Sequence, residues 1–217
     1  MPPSYPPKPH RTLHPLLHLA LLGSLLVVIA ACLVWIVSSW LSRNAEADPS
    51  EVYMNRPGIR QPATHPAAAA SLADEDEIIG VVVDGRARAY ALSAFTAIPT
   101  LGDPSQHVVN DLLAGVPVTV TYCDRLNCAQ VYTDARARTP LPVGVGGYTK
   151  RDGRDSMLLS IGTSHYRQDT GEALEADAPP FPYAPLPYQR TTWKQWRTEH
   201  PDTDVYFRNL PLQPGRL

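Results

Sequence analysis

The sequence has no basic stripe with interleaved aromatics: Lys and Arg number 19 against 21 Asp and Glu, for a net charge of -2. That balance argues against nucleic acid as a partner. There is no internal repeat, which removes solenoids and propellers. No G-x-S-x-G or H-E-x-x-H occurs, nor an acid pair set in a recognisable motif. Gly144, Gly146 and Gly147 cluster without the Gly-Lys-Ser/Thr ending of a phosphate loop. They read instead as a bulged or closely packed strand.

Charge is also missing from residues 16–41, "LLHLALLGSLLVVIAACLVWIVSSWL", which hold no Asp, Glu, Lys or Arg. The run exceeds the roughly 20 apolar residues needed to cross a bilayer, with Trp35 and Trp40 near its far end. Lys8 and Arg11 precede it, and Glu46 and Asp48 follow Arg43. These flanks predict a single-pass anchor with a cytoplasmic tail at 1–15 and an extracytoplasmic body. Two rivals also place the body outside the cytoplasm. "AEA" at Ala45 to Ala47 offers a signal-cleavage pattern, and "IAAC" ending at Cys32 resembles a lipobox.

What is abundant is proline: 23 residues, about twice the usual share of roughly 5%. It punctuates the chain between elements. Residues 42–73, rich in Ala and Pro without an apolar period, read as a flexible tether. From Asp74 the chain turns β-rich. "IIGVVVDGRARAYAL" is two strands around Asp84-Gly85, the preferred pair for a type I′ turn. "HVVNDLLAG" and "PVTVTYC" make a second pair with its tip at Ala114-Gly115. "TTWKQWRTEHP" predicts a short helix carrying Trp193 and Trp196 as packing residues and closed by Pro201. The expectation is a mainly β domain over 74–210, a barrel or sandwich with short helices, preceded by one transmembrane helix and followed by a tail at 211–217.

Cys123 and Cys128 bracket "DRLN", a turn-forming run between strands. Four readings are open: a disulfide, two unpaired thiols, ligands of a copper or zinc ion, and a redox pair. Residues 107 and 123 are nearly equidistant from the hairpin tip, so His107 or Asp111 is a candidate to act with Cys123. His107 with Cys123 and Cys128 gives three metal ligands, and His165 is a candidate fourth. Arg86, Arg88, Arg136 and Arg138 read as a solvated face.

Five stretches in order, "IIGVVVDGRARAY" (78–90), "HVVND" (107–111), "PVTVTYC" (117–123), "DTGEAL" (169–174) and "TTWKQW...HPDTDVY" (191–206), resemble the bacterial domain-of-unknown-function family numbered 3179. The resemblance covers roughly residues 74 to 206. It implies an exported or membrane-anchored domain and a site near the cysteines, without an established activity. Many relatives resemble Tyr-Cys-Pro-Leu-Cys, whereas "YCDRLNC" spaces its cysteines more widely. The functional expectation is a membrane-tethered binding or accessory module whose ligand or protein partner the sequence leaves open. The alternatives are a thiol- or metal-dependent enzyme centred on Cys123, Cys128 and His107, and a structural envelope protein.

Overall fold

We describe the chain from a computed structural model covering residues 24, 25, 27–38, 52–96 and 105–208. It divides into two compact units, Met1–Pro49 and Ser50–Leu217. In the first, residues 24, 25 and 27–38 are helical. The predicted anchor 16–41 lies partly outside the described residues, and the tails 1–15 and 211–217 lie wholly outside them. Among the described residues no helix is long and apolar enough to cross a membrane.

The second unit is mainly β, as expected. Its strands are β1 (Val52–Arg60), β2 (His65–Pro66), β3 (Glu77–Val83), β4 (Arg86–Ala91), β5 (Ser105–Leu113), β6 (Val116–Cys123) and β7 (Cys128–Thr133). Then come β8 (Gly144–Thr149), β9 (Ser156–Ile161), β10 (Ser164–Arg167), β11 (Ala184–Pro185), β12 (Gln189–Thr192) and β13 (Asp204–Tyr206). Eight form one sheet in the order β10-β9-β8-β1-β5-β6-β7-β11, and five form another in the order β12-β3-β4-β13-β2.

The larger sheet curls into a half-barrel. Met157 and Leu159 of β9 share one buried cluster with Tyr132 of β7, although four strands separate β9 from β7 in the sheet. Only a curled sheet brings such distant strands to one interior. The opposite face of β5, β6 and β7 packs on the smaller sheet, where Val109, Val120 and Val131 meet Ile79, Val81 and Tyr90. Each strand therefore serves two cores, one on each side of its pleat.

Local chemistry sets the registers. Asp84 and Gly85 have φ of 49° and 77°, and Ala114 and Gly115 of 52° and 79°. Two consecutive positive values are what a type I′ turn demands, so both predicted tips are found. The second tip fixes Leu113 opposite Val116 and Val108 opposite Thr121. Gly147, with φ 118°, sits where a Cβ would lie 1.7 Å from the Val52 carbonyl oxygen. The glycine cluster is thus the bulged, closely packed strand anticipated, its register shifting between Val145 and Gly147.

The helix Trp193–Glu199 closes the smaller sheet, with the Thr192 side chain accepting from Gln195 N at its start. Trp193 and Trp196 are buried as the sequence suggested. Trp196 lies over Gly80, where an added Cβ would come within 2.3 Å of the indole. A bare backbone in β3 is therefore the seat of that ring.

The stretch 42–73 differs most from expectation. From Val52 onward it is built into the fold: β1 lies inside the large sheet, parallel to β5 and antiparallel to β8. Pro57 lacks an amide hydrogen, and Asn55 and Arg56 break any apolar alternation, which hides the strand from pattern reading. Register irregularities between Tyr53 and Arg56 and between Gly58 and Ile59 accommodate it.

Candidate functional site

The turn "DRLN" closes β6 onto β7 with Cys123 directly opposite Cys128. Both are free thiols, Cys123 buried and Cys128 half-buried. Their surroundings are polar for so enclosed a place. Cys128 Sγ donates to Gln168 Oε1 at 3.2 Å. Gln168, wholly buried just past β10, donates through Nε2 to Thr121 Oγ1 at 2.9 Å, while its backbone carbonyl accepts from the Tyr132 hydroxyl. A glutamine with each side-chain group engaged this way holds Cys128 at a fixed rotamer.

The two sulfurs are electrostatically unequal. The Cys128 thiol donates to the Cys123 sulfur, which pulls Cys123 down from an ordinary 9.0 to about 7. Burial opposes that shift, and the backbone N–H groups of Leu126 and Arg125, turned inward by the tight turn, reinforce it. Cys128, donor to its neighbour and itself buried, is pushed upward. Near pH 7 about half of Cys123 is thus thiolate, and the proton that stays with the pair is on Cys128. That single proton has two acceptors in reach, the Cys123 sulfur and Gln168 Oε1.

Cys123 lines a cavity of ≈ 220 Å³, and Cys128 does not. Met54 and Arg56 of β1, His107 of β5, Arg125 of the turn, and Tyr148 and Met157 of β8 and β9 form much of its wall. His107 accordingly shares a cavity with Cys123. Its Nδ1 lies 3.1 Å from the Tyr122 carbonyl oxygen. A carbonyl only accepts, so Nδ1 carries the proton and Nε2 is the basic nitrogen. Asp124 Oδ1 stands 3.9 Å from the same Nδ1.

Asp111 is elsewhere. It points to the smaller sheet, 3% exposed, and accepts from Arg88 Nη1 at 2.7 Å and Tyr90 Oη at 2.9 Å. Burial, then the Asp111 charge, pushes the Tyr90 hydroxyl well above its usual range. Arg88 is correspondingly far from a solvated face: its side chain is 13% exposed and also meets Asp204 at 3.3 Å. The parity of the hairpin explains the separation. Asp111 pairs with Val118, and from Val118 an odd number of steps leads to Cys123, so the two project from opposite faces.

His165 is also apart. Its Nδ1 meets Glu175 Oε1 at 2.6 Å, and its ring packs edge-on against Tyr53 with centroids 5.2 Å apart. Among the described residues no group of three or more His, Cys, Asp or Glu is disposed to hold a metal ion. The proposed ligand set of Cys123, Cys128 and His107 is therefore not assembled. Gln168 is the contributor that sequence reading missed; a lone glutamine after a strand carries no motif.

Fold and site together define a β-domain with a cross-strand thiol pair on the inner side of a half-barrel. The chain belongs to the family described as a protein of unknown function (DUF3179), which matches residues 55–211. No curated protein and no solved structure matches it.

Proposed function

We propose that the domain is a dithiol module that exchanges with disulfides, Cys123 attacking and Cys128 resolving. One observation carries this reading: the cross-strand partners divide their roles, since Cys123 alone lines the cavity while Cys128 is held behind it by Gln168. In the first step the Cys123 thiolate attacks one sulfur of a disulfide RSSR′. A mixed disulfide forms, and R′S⁻ leaves and takes a proton from solvent. Cys128 then loses its proton and attacks the Cys123 sulfur, closing the Cys123–Cys128 bond and releasing RS⁻. The substrate gains two electrons and the pair loses two. Directly opposed residues on antiparallel strands have Cα atoms roughly 4.5–5.5 Å apart, inside the span of about 4.4–6.8 Å that a disulfide bridges. The same geometry makes the dithiol and disulfide forms interconvertible with little backbone movement.

The proposal places this module outside the cytoplasm on a membrane tether. The apolar, uncharged run 16–41 and its flanking charges support that placement. A reporter fused after Leu217 that works only when exported should be active; activity of a cytoplasm-only reporter there reverses the topology.

The chemistry is tested with the full chain in a nonionic detergent, Cys32 replaced by Ser throughout. With bis(hydroxyethyl) disulfide, Cys128→Ser should accumulate one adduct on Cys123, read by intact mass and peptide mapping. The otherwise unaltered protein should pass instead to a Cys123–Cys128 disulfide. Absence of any adduct would make the pair two packed core thiols and favour a passive binding or structural role.

A further inference from the structure

Taking the thiol-exchange reading as its basis, we infer that the cavity selects small disulfides bearing a carboxylate. Two arginines line it, Arg56 and Arg125. Three other arginines of the larger sheet and its turns are ion-paired, Arg136 with Asp134, Arg154 with Glu172 and Arg167 with Glu172. Among the described residues neither Arg56 nor Arg125 has a carboxylate within ion-pair distance. Arg125 is nonetheless placed, its guanidinium 4.1 Å above the Tyr148 ring. Stacking of that kind fixes the planar group while leaving its edge N–H donors free for a bidentate acceptor.

The charge arithmetic of the wall changes during the reaction. Asp124 is the carboxylate on it, set against Arg56 and Arg125. With Cys123 as a thiolate there are two negative and two positive groups, and the wall is balanced. Forming the mixed disulfide removes the thiolate charge and leaves two guanidiniums against one carboxylate. An anionic substituent on the bound half restores the balance, whereas a cationic one worsens it. His107 adds a hydrogen-bonding nitrogen, Nε2, at the same wall. The volume of ≈ 220 Å³ falls below the roughly 300–1,000 Å³ of drug-sized ligand pockets and so suits only a small molecule. A folded protein partner would have to present its disulfide on a narrow projecting loop.

The test compares three symmetrical disulfides of similar size on the full-length Cys32→Ser/Cys128→Ser chain in nonionic detergent. They are dithiodipropionate (anionic), bis(hydroxyethyl) disulfide (neutral) and cystamine (cationic), and the readout is the rate of adduct formation on Cys123. The rates should fall in that order, the first exceeding the last by about tenfold at low ionic strength. Arg56→Gln with Arg125→Gln should compress the spread, each rate taken relative to that of the neutral reagent on the same variant, to about twofold or less, while Arg56→Lys with Arg125→Lys should retain the order. Should the glutamine variant not fold, added salt on the parent protein should compress the spread likewise, because exposed charges are screened beyond ~10 Å at 0.1 M. Cystamine reacting as fast as dithiodipropionate, or a spread that survives both the substitutions and salt, overturns the selectivity and leaves thiol exchange standing. Failure of all three reagents, the neutral one included, overturns the exchange reading and this inference with it.

Discussion

The hairpin β5–β6 carries a polar cluster on each face, and the two are opposite in construction. On the side of the smaller sheet, Asp111 is held by Arg88, Tyr90 and the Leu112 amide. On the half-barrel side, Cys123 is held by a neighbouring thiol and two turn amides, yet it borders a cavity. A carboxylate whose oxygens are all taken by the protein has nothing left for a ligand, so its role is to lock two sheets together. A thiolate stabilised by weak donors beside open space keeps its reactivity. Burial and perturbed protonation are common to both; access is what separates a fastener from a chemical site.

The sharpest way to break this contrast is Asp111→Ala. It leaves the buried Arg88 guanidinium with the partly exposed Asp204 as its one carboxylate, beside the Leu112 carbonyl, which should cost about 3–5 kcal/mol in chemical denaturation. Reactivity of Cys123 toward iodoacetamide, measured where the variant remains folded, should not change. A loss of reactivity there would show the two faces to be one coupled network.

Next in size is Gln168→Leu. The Thr121 hydroxyl loses the donor that Gln168 Nε2 supplies, and the fold should weaken by about 1–3 kcal/mol. The thiol effect has the opposite sense. With Gln168 Oε1 gone, the Cys128 proton has the Cys123 sulfur as its one remaining acceptor of the two, and the pH midpoint of Cys123 alkylation should fall. A rise in that midpoint would mean that Gln168 assists the thiolate directly.

Much of this arrangement is legible in the residues. Asp84-Gly85, Ala114-Gly115 and "DRLN" announce their turns because left-handed or tight backbone needs those residue types. Once the second tip is placed, counting outward sets Asp111 against Val118, so a pairing of Asp111 with Cys123 could have been dismissed by parity alone. The same count puts His107 beside Tyr122, one residue short of Cys123, and the observed bond from its Nδ1 is to the Tyr122 carbonyl. What is not legible is whatever depends on distant chain segments. The curl of the large sheet, the insertion of β1 and the arrival of Gln168 beneath Cys128 have no local period or motif to betray them. Arg88 reads as solvent-facing because a strand beside a turn commonly is; it is buried because β13 and β5 cover it with Asp204 and Asp111.

Cys128→Ala isolates the thiol side. It removes the leading donor to the Cys123 sulfur, so the alkylation midpoint should climb from about 7 by roughly one unit toward the ordinary 9.0. An unmoved midpoint would assign the depression to the turn amides alone.

The last effect is a linkage one. Cys123 has its folded value near 7, below the ordinary 9.0. Its stabilising contribution is complete above 9.0, shrinks as the pH falls through that interval, and is gone below about 7. Cys128, raised instead, lowers stability only above 9.0. Between about 7 and 9.0 the stability of the parent protein relative to Cys123→Ala should therefore rise with pH, in equilibrium denaturation under reducing conditions. A difference that stays flat across that window removes the thiolate from the native state.

The insertion of β1 into the large sheet sets an order in time. Val52 pairs with Tyr148, and Gly58 with Ser105, so the earliest strand of the body waits for partners far downstream. Long-range pairings of this kind form slowly. The hairpin β5–β6–β7, joined by short turns, can close and present both cysteines before β1 docks. Met54 and Arg56 come with β1, so during that interval the thiols exist without that part of the wall. A newly made chain, with Arg125 in its turn and Arg56 still to arrive, should then discriminate less among oxidants of different charge, and the full preference should be acquired only when its first strand slides home.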